Sequence, residues 1–142
     1  MIIAVDFDGT CVTHEFPKVG KDIGAAPILK KLIEKGHKII LYTMRSHPDK
    51  SNQGKTLSGE IISNDTLQDA IDWFKDNGIP LWEINENPNQ KKWTSSPKVY
   101  ANIYIDDAAL GTPLKYDKDG ILSRPYVDWN KMKILLETKG IL

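Results

Sequence analysis

Two aspartates, one residue apart, close a short apolar segment near the start of the sequence. The segment 2–5 runs directly into Asp6, Phe7, Asp8 and Gly9. Two like charges at the end of a buried strand are costly unless a cation or a reacting group uses them. Beside a cation, one carboxylate can attack phosphorus while another transfers protons. Residues two apart in an extended chain point the same way, so this spacing suits two groups that share one site.

Two further apolar segments, 38–42 and 103–105, also end in polar residues. The carboxyl ends of parallel strands meet at one edge of a sheet, where ligands bind in such folds. We therefore expect the polar residues of all three segments to form one site. The residues expected to converge are Asp6, Asp8, Thr43, Arg45, Asp106 and Asp107.

Carboxylates crowded at this edge would repel one another and titrate upward unless a cation neutralised them. Ligation by oxygen atoms alone favours magnesium. In the alternative interpretation, Asp106 and Asp107 begin a turn and cap a helix, but they follow a segment that mirrors the first strand. We therefore predict a magnesium site. Its expected ligands are Asp6, Asp8, Asp106 and Asp107.

The role of Arg45 is open between two interpretations. Because Arg45 lies two residues after Thr43, its side chain can point into the same site and clamp a phosphate or carboxylate of the substrate through two hydrogen bonds. The alternative is an ion pair at the protein surface. The sequence does not decide between these interpretations.

Amphipathic segments between the strands predict three helices. The first opens at Pro27, a residue suited to the first helical position, and ends at Gly36. The second has Asp65 as its N-cap. The last is capped by Asp128, runs to residue 139, and is expected to place Trp129, Met132, Leu135 and Leu136 on one face.

The order of elements is strand, helix, strand, helix, strand, loop, strand, helix. Strands that are apolar throughout and alternate with helices predict an α/β fold with a three-layer, doubly wound, mostly parallel sheet of the Rossmann-like type. The third strand is expected at 81–84, followed by a polar loop over 85–97. Small hairpins are expected around 56–63 and 118–120. Residues 1–142 are expected to form one domain.

Composition limits the classes of partner. The formal net charge is zero, so there is no electrostatic footprint for nucleic acid, and no apolar run approaches the length of a membrane span. The single cysteine, Cys11, cannot form an internal disulfide bond, and we expect a cytoplasmic protein. The four tryptophans leave room for an apolar interface in a homo-oligomer.

The segment IIAVDFDGT resembles the first motif of the haloacid dehalogenase-like (HAD) superfamily, in which four apolar residues precede Asp-x-Asp-Gly-Thr/Val. The segments KIILYT and SSPKVYANIYIDD resemble its later motifs, in the same order. The resemblance implies a magnesium-dependent phosphomonoester hydrolase that forms an aspartyl-phosphate intermediate. The implied roles are nucleophile for Asp6, acid and base for Asp8, phosphoryl binding for Thr43, charge compensation for Lys98, magnesium binding for Asp106, and direct or outer-sphere ligation for Asp107.

Many members of this superfamily carry a cap domain over the site. The spans between the motifs are already used by predicted helices, strands and loops, so we expect a core without a cap. An open site suits a bulky phosphorylated substrate, and the loop 46–65 is the candidate lid. Two other functions stay open: a phosphotransferase or phospho-aspartate switch, and a binding module that keeps the fold without catalysis.

Overall fold

The computed structural model describes residues 1–48, 55–62, 64–116 and 124–142. A four-stranded sheet lies at its centre, and a two-stranded sheet lies beside it. The elements in chain order are β1 (Ile2–Val5), α1 (Ala25–Glu34), β2 (Lys38–Leu41), α2 (Thr66–Asp76), β3 (Glu83–Ile84), a 3-10 helix (Gln90–Lys92), β4 (Ile103–Ile105), β5 (Leu114–Lys115), β6 (Tyr126–Val127) and α3 (Trp129–Thr138).

The central sheet has the strand order β3-β2-β1-β4, and every neighbouring pair is parallel. The prediction of an α/β fold with a parallel, Rossmann-like sheet is confirmed. β1 lies between β2 and β4, so the residue after Val5 is flanked by the residues that follow Leu41 and Ile105. This arrangement brings the three chemically interesting strand ends to neighbouring positions on one edge.

The hydrophobic core lies on one face of the sheet. Buried residues of α1, α2 and α3 belong to the same cluster as alternate strand residues such as Ile3 and Ile39. Ala4 and Ile40 are buried on the opposite face and lie outside that cluster. In the described part of the chain, the expected third layer of helices is therefore missing. The steps from β1 to β2 and from β2 to β3 run in one direction, so crossovers of one hand put both helices on the same face.

Side chains cap two of the helices as the sequence predicts. Asp65 accepts a hydrogen bond from the backbone N–H of Gln68, and Asp128 accepts from the first turn of α3. The predicted start of α1 at Pro27 is wrong, because the helix begins at Ala25 and Pro27 lies within its first turn. Proline fits there too, since the first-turn N–H groups have no partner within the helix.

Three further predictions need correction. The third strand covers only residues 83–84 rather than 81–84, and the polar loop after it contains the 3-10 helix. Leu135 is 42% exposed and does not share the buried face of α3.

An antiparallel bridge between Lys55 and Ile61 lies in the expected first hairpin, whereas the expected turn at 118–120 lies outside the described residues. Within the described residues, no helix has both the length and the apolar character needed to cross a membrane.

Candidate active site

Three carboxylates meet at the edge of the sheet where β1 and β4 end. Asp6, Asp106 and Asp107 each offer one oxygen, and these oxygens lie within 4.8 Å of one another. Asp6 is fixed to the neighbouring strand because its backbone N–H donates to the carbonyl of Ile105 at 3.0 Å. The predicted convergence of these two strand ends is confirmed.

Thr10 ties the two strand ends together. Its hydroxyl donates to Oδ2 of Asp6 at 3.2 Å and accepts from the backbone N–H of Asp107 at 3.0 Å. The carbonyl of Thr10 accepts from Nε1 of Trp129 at 2.7 Å, so α3 also holds the turn in place. Thr10 is fully buried. The turn after β1 is therefore a rigid support for Asp6.

The charge on Asp6 is poorly compensated by the protein itself. The pKa of Asp6 is raised to about 7, mainly by burial and also by the nearby carboxylates of Asp106, Asp107 and Asp8, while a hydrogen bond from the backbone of Phe7 opposes the rise. A site that makes ionisation of a carboxylate this unfavourable is suited to a cation.

Asp107 belongs to the acidic cluster and also lies near two basic side chains. Burial raises its pKa, and the carboxylate of Asp106 adds to the rise, while His14 and Arg124 oppose it. Nη1 of Arg124 lies 2.7 Å from Nε2 of His14. Because Arg is protonated and donates, His14 presents the unprotonated nitrogen to it. The guanidinium group of Arg124 carries the positive charge on this side of the site.

Asp8 does not join the acidic cluster through its side chain. Its two carboxylate oxygens accept hydrogen bonds from Nε and Nη2 of Arg45, each at 2.7 Å. This two-point pair is almost completely buried, with Arg45 only 2% exposed. The prediction that the carboxylate of Asp8 is one of the clustered metal ligands is therefore not met in this structure.

Every N–H of the Arg45 guanidinium group donates a hydrogen bond to another group of the protein. Besides Asp8, it donates to the backbone carbonyls of Pro17, Lys18 and Thr66. The rings of Phe7 and Phe16 also lie near its guanidinium carbon, at 4.9 and 5.3 Å from their centres. Neither predicted role fits this placement: Arg45 is not at the surface, and it has no donor left for the substrate.

Thr43 lies where the sequence predicts, after the end of β2 and on the wall of the same cavity. Its backbone N–H donates to Oδ1 of Asn85 at 2.8 Å, and its hydroxyl accepts from the backbone N–H of Arg45 at 3.2 Å. Among the described residues, no acceptor takes the proton of this hydroxyl.

Lys98 lies outside this cavity. It is exposed, its ammonium group lies 5.7 Å from the centre of the Tyr104 ring, and it lines a separate hollow with Trp93 and Tyr100. The predicted placement of Lys98 beside the acidic residues is wrong. Lys98 precedes the amino end of β4, whereas the site is built from the carboxyl ends of the strands.

The cavity over the acidic cluster has a volume of about 610 Å³. Met44 and Leu57 lie on its rim and are almost fully exposed, so the cavity has an apolar edge. The part of the predicted lid that is described therefore reaches the cavity through Leu57. His14 and Arg124 line the same cavity and were not predicted. The sequence carried no signal for Arg124, because it lies in no periodic segment or motif.

The comparisons with known proteins identify a fold relative only. No family model and no curated protein matches the chain. A solved structure described as the conserved protein coded by a locus from Bacteroides thetaiotaomicron is similar, with 28% sequence identity and a TM-score of 0.68. The match covers 98% of this chain and 91% of that one. The similarity thus extends over nearly the whole fold.

Proposed function

We propose that the chain is a magnesium-dependent phosphomonoester hydrolase that acts through an aspartyl-phosphate at Asp6. The observation that carries this proposal is the meeting of Asp6 with Asp106 and Asp107 at the carboxyl edge of the sheet. A half-buried carboxylate in an open cavity, beside two further carboxylates, is arranged for use as a metal-assisted nucleophile.

The donor set fits magnesium. All three clustered groups are carboxylates, and hard divalent cations prefer oxygen ligands. The high pKa of Asp6 supports the same conclusion. Burial and the neighbouring negative charges raise this pKa, and a bound cation would offset both effects. Asp6, Asp106 and Asp107 would hold the ion. When bound, magnesium supplies charge compensation for the phosphoryl oxygens.

The protein groups divide the reaction into two displacements. Asp6 attacks phosphorus, so that a bond forms between its carboxylate oxygen and phosphorus while the bond to the ester oxygen breaks. Once it has left Arg45 and taken up a proton from solvent, Asp8 gives that proton to the leaving oxygen and then takes one from the water that cleaves the intermediate. The hydroxyl of Thr43 donates to a phosphoryl oxygen. The second displacement releases free phosphate and regenerates the carboxylate of Asp6.

Hydrolysis of 4-nitrophenyl phosphate in the presence of magnesium tests the proposal, followed by a panel of phosphorylated sugars, nucleotides, peptides and polynucleotides. Asp6→Asn should reduce turnover to background, since an amide does not act as the nucleophile. Asp76→Asn, at an exposed position in α2, is the matched control and should keep full activity. Full activity in Asp6→Asn would refute the proposal.

We extend the proposal to the fold family: a HAD-like core without a cap domain. Between Asp8 and Thr43, the described chain consists of a loop, α1 and β2, each in contact with the sheet or its core. The open cavity with Met44 and Leu57 on its rim supports the same interpretation.

A second candidate function is a phosphotransferase or phospho-aspartate switch, favoured by the contacts of Asp8. Both oxygens of Asp8 are held by Arg45, so Asp8 has to leave this pair before it can activate water. A slow second step would let phosphorylated Asp6 persist. That lifetime is measured by phosphorylating the wild-type protein with a small phosphoryl donor, removing the donor and following the loss of the phosphoryl group from Asp6 over time. A lifetime far longer than a catalytic cycle favours the switch, and rapid loss of the phosphoryl group favours the hydrolase.

A further inference from the structure

The site needs a positive side chain that can reach the phosphoryl group, and the two predicted candidates do not provide it. Lys98 lies in another hollow, over the ring of Tyr104. Arg45 lines the cavity, but its N–H groups all donate to Asp8 or to backbone carbonyls. A dianionic phosphoryl group that approaches the carboxylates of the site therefore receives no compensating positive charge from Lys98 and no hydrogen bond from Arg45.

Arg124 occupies the position that these residues leave open. It is an exposed arginine on the wall of the cavity that also contains Asp6, Asp106 and Asp107. Among the described residues that line this cavity, the arginines are Arg45 and Arg124, and Arg45 is fully engaged. A guanidinium group matches the geometry of phosphoryl oxygens through paired hydrogen bonds.

The backbone after Arg124 is fixed to the catalytic turn. The N–H of Val127 donates to the carbonyl of Gly9 at 2.8 Å, and the N–H of Asp128 donates to the carbonyl of Pro113 at 2.8 Å. β6 also pairs with β5 in an antiparallel ladder. Arg124 thus lies three residues from a direct backbone link to the turn that carries Asp8.

His14 orients the guanidinium group from the other wall of the cavity. Its Nε2 accepts from Nη1 of Arg124 at 2.7 Å. The residue before it, Thr13, is held by a backbone hydrogen bond to Lys21 at 2.9 Å, and the Thr13 hydroxyl accepts from the Lys21 N–H at 2.8 Å. Arg124 is therefore held by His14, and the chain next to His14 is itself fixed at Thr13.

We propose that Arg124 binds the phosphoryl group of the substrate and that His14 is the positioning residue for Arg124. This inference rests on the proposed function, because it names a binding residue of the same site. It reassigns to Arg124 the charge compensation that the sequence resemblance attributed to Lys98. The ligand class is the phosphate monoester dianion, which also includes inorganic phosphate as the product.

Two measurements on purified protein with magnesium test the inference: calorimetric binding of inorganic phosphate and hydrolysis of 4-nitrophenyl phosphate. Arg124→Met should weaken phosphate binding at least about tenfold and lower kcat/KM about 10²-fold. The loss of one oriented hydrogen-bond donor from an enzyme active site has an effect of this size. Lys98→Met is the matched control and should change either value less than about fivefold, as expected for an exposed charge.

His14 is tested by conservative rescue. His14→Ala should lower kcat/KM in the same direction as Arg124→Met, whereas His14→Gln keeps an acceptor for Arg124 and should recover most of the loss. In the Arg124→Met background, His14→Ala should not lower kcat/KM further. If His14 had a purely structural role, the substitution would lower kcat/KM in this background as well.

The outcomes separate this inference from the proposed function. An active wild-type protein in which Arg124→Met binds phosphate and turns over like wild type overturns the inference and leaves the function intact. If the wild-type protein binds inorganic phosphate through Arg124 but hydrolyses no ester, the proposed function fails while the phosphate-binding role of Arg124 is kept. A wild-type protein that does not bind phosphate overturns the inference.

Discussion

The carboxylate of Asp8 and the guanidinium group of Arg45 form a buried, two-point ion pair with both hydrogen bonds at 2.7 Å. The pair joins the turn after β1 to the chain after β2. Arg45 also binds the carbonyls of Pro17, Lys18 and Thr66, so one side chain connects the loop before α1 to the start of α2. This link suggests that Arg45 sets where Asp8 lies and how easily it reaches substrate.

Breaking the pair should cost stability. We expect Arg45→Met to lower the free energy of unfolding by about 3–5 kcal/mol, because it leaves the buried charge of Asp8 without a partner. Adding Asp8→Asn should recover part of that loss, since the stranded charge is then removed. Urea unfolding of the two single variants and the double variant measures the coupling between the two residues. Additive losses would show that the pair is not coupled.

The pH dependence of stability should reveal the unusual carboxyl of Asp6. In the metal-free folded protein its pKa is about 7, above its ordinary value of 3.8, so the folded state binds this proton more tightly than the unfolded state. The resulting stabilisation is fully present below pH 3.8 and is lost as the pH rises to about 7. Its full size is on the order of 4 kcal/mol.

Asp6→Asn isolates this contribution because the amide does not ionise. In chelator-treated protein, the variant should be more stable than wild type at pH 8, and the difference should shrink towards pH 4. Urea unfolding of both proteins across this range provides the measurement. A difference that is constant with pH would contradict the assignment. Asp107, whose pKa is also raised by burial, shifts the stability of both proteins in the same direction.

Gly9 should be required for magnesium binding at the proposed site. It has a φ of +79°, and a Cβ at this position would lie 2.6 Å from Oδ2 of Asp107. Gly9→Ala should therefore displace that carboxylate and weaken magnesium binding by at least about tenfold. Calorimetric titration with magnesium measures the effect.

Gly36 provides a control with similar backbone strain. Its φ is +81°, but a Cβ there would have nothing within 4 Å. Gly36→Ala and Gly9→Ala should both lose about 1–2 kcal/mol of stability from the left-handed conformation. Only Gly9→Ala should change magnesium affinity. Equal magnesium affinity in both variants would show that contact with Asp107 does not matter.

The sequence predicts the part of the site that follows from strand topology. Asp6, Asp106 and Asp107 lie at the ends of apolar strands, and parallel pairing brings such ends together. Thr43 was predicted on the same basis. The helix caps at Asp65 and Asp128 were readable because capping depends on a few neighbouring residues.

The rest depends on side-chain packing between segments that are distant in sequence. Arg45 binds the carbonyls of Pro17 and Lys18 in the loop before α1 and that of Thr66 at the start of α2, and no local pattern specifies these contacts. Arg124 lies outside every periodic segment. Lys98 was predicted from its order in a motif, but its position before β4 directs it to Tyr104 instead.

The central claim is that Asp6 carries the phosphoryl group during the reaction. Acid quenching of wild type and Asp8→Asn during turnover of 4-nitrophenyl phosphate with magnesium, followed by peptide mass spectrometry, tests it most directly. We expect one phosphoryl group on Asp6, in a larger fraction of Asp8→Asn because that variant lacks the base for the second step. Turnover with no phosphoryl group on Asp6 in either protein would contradict the account.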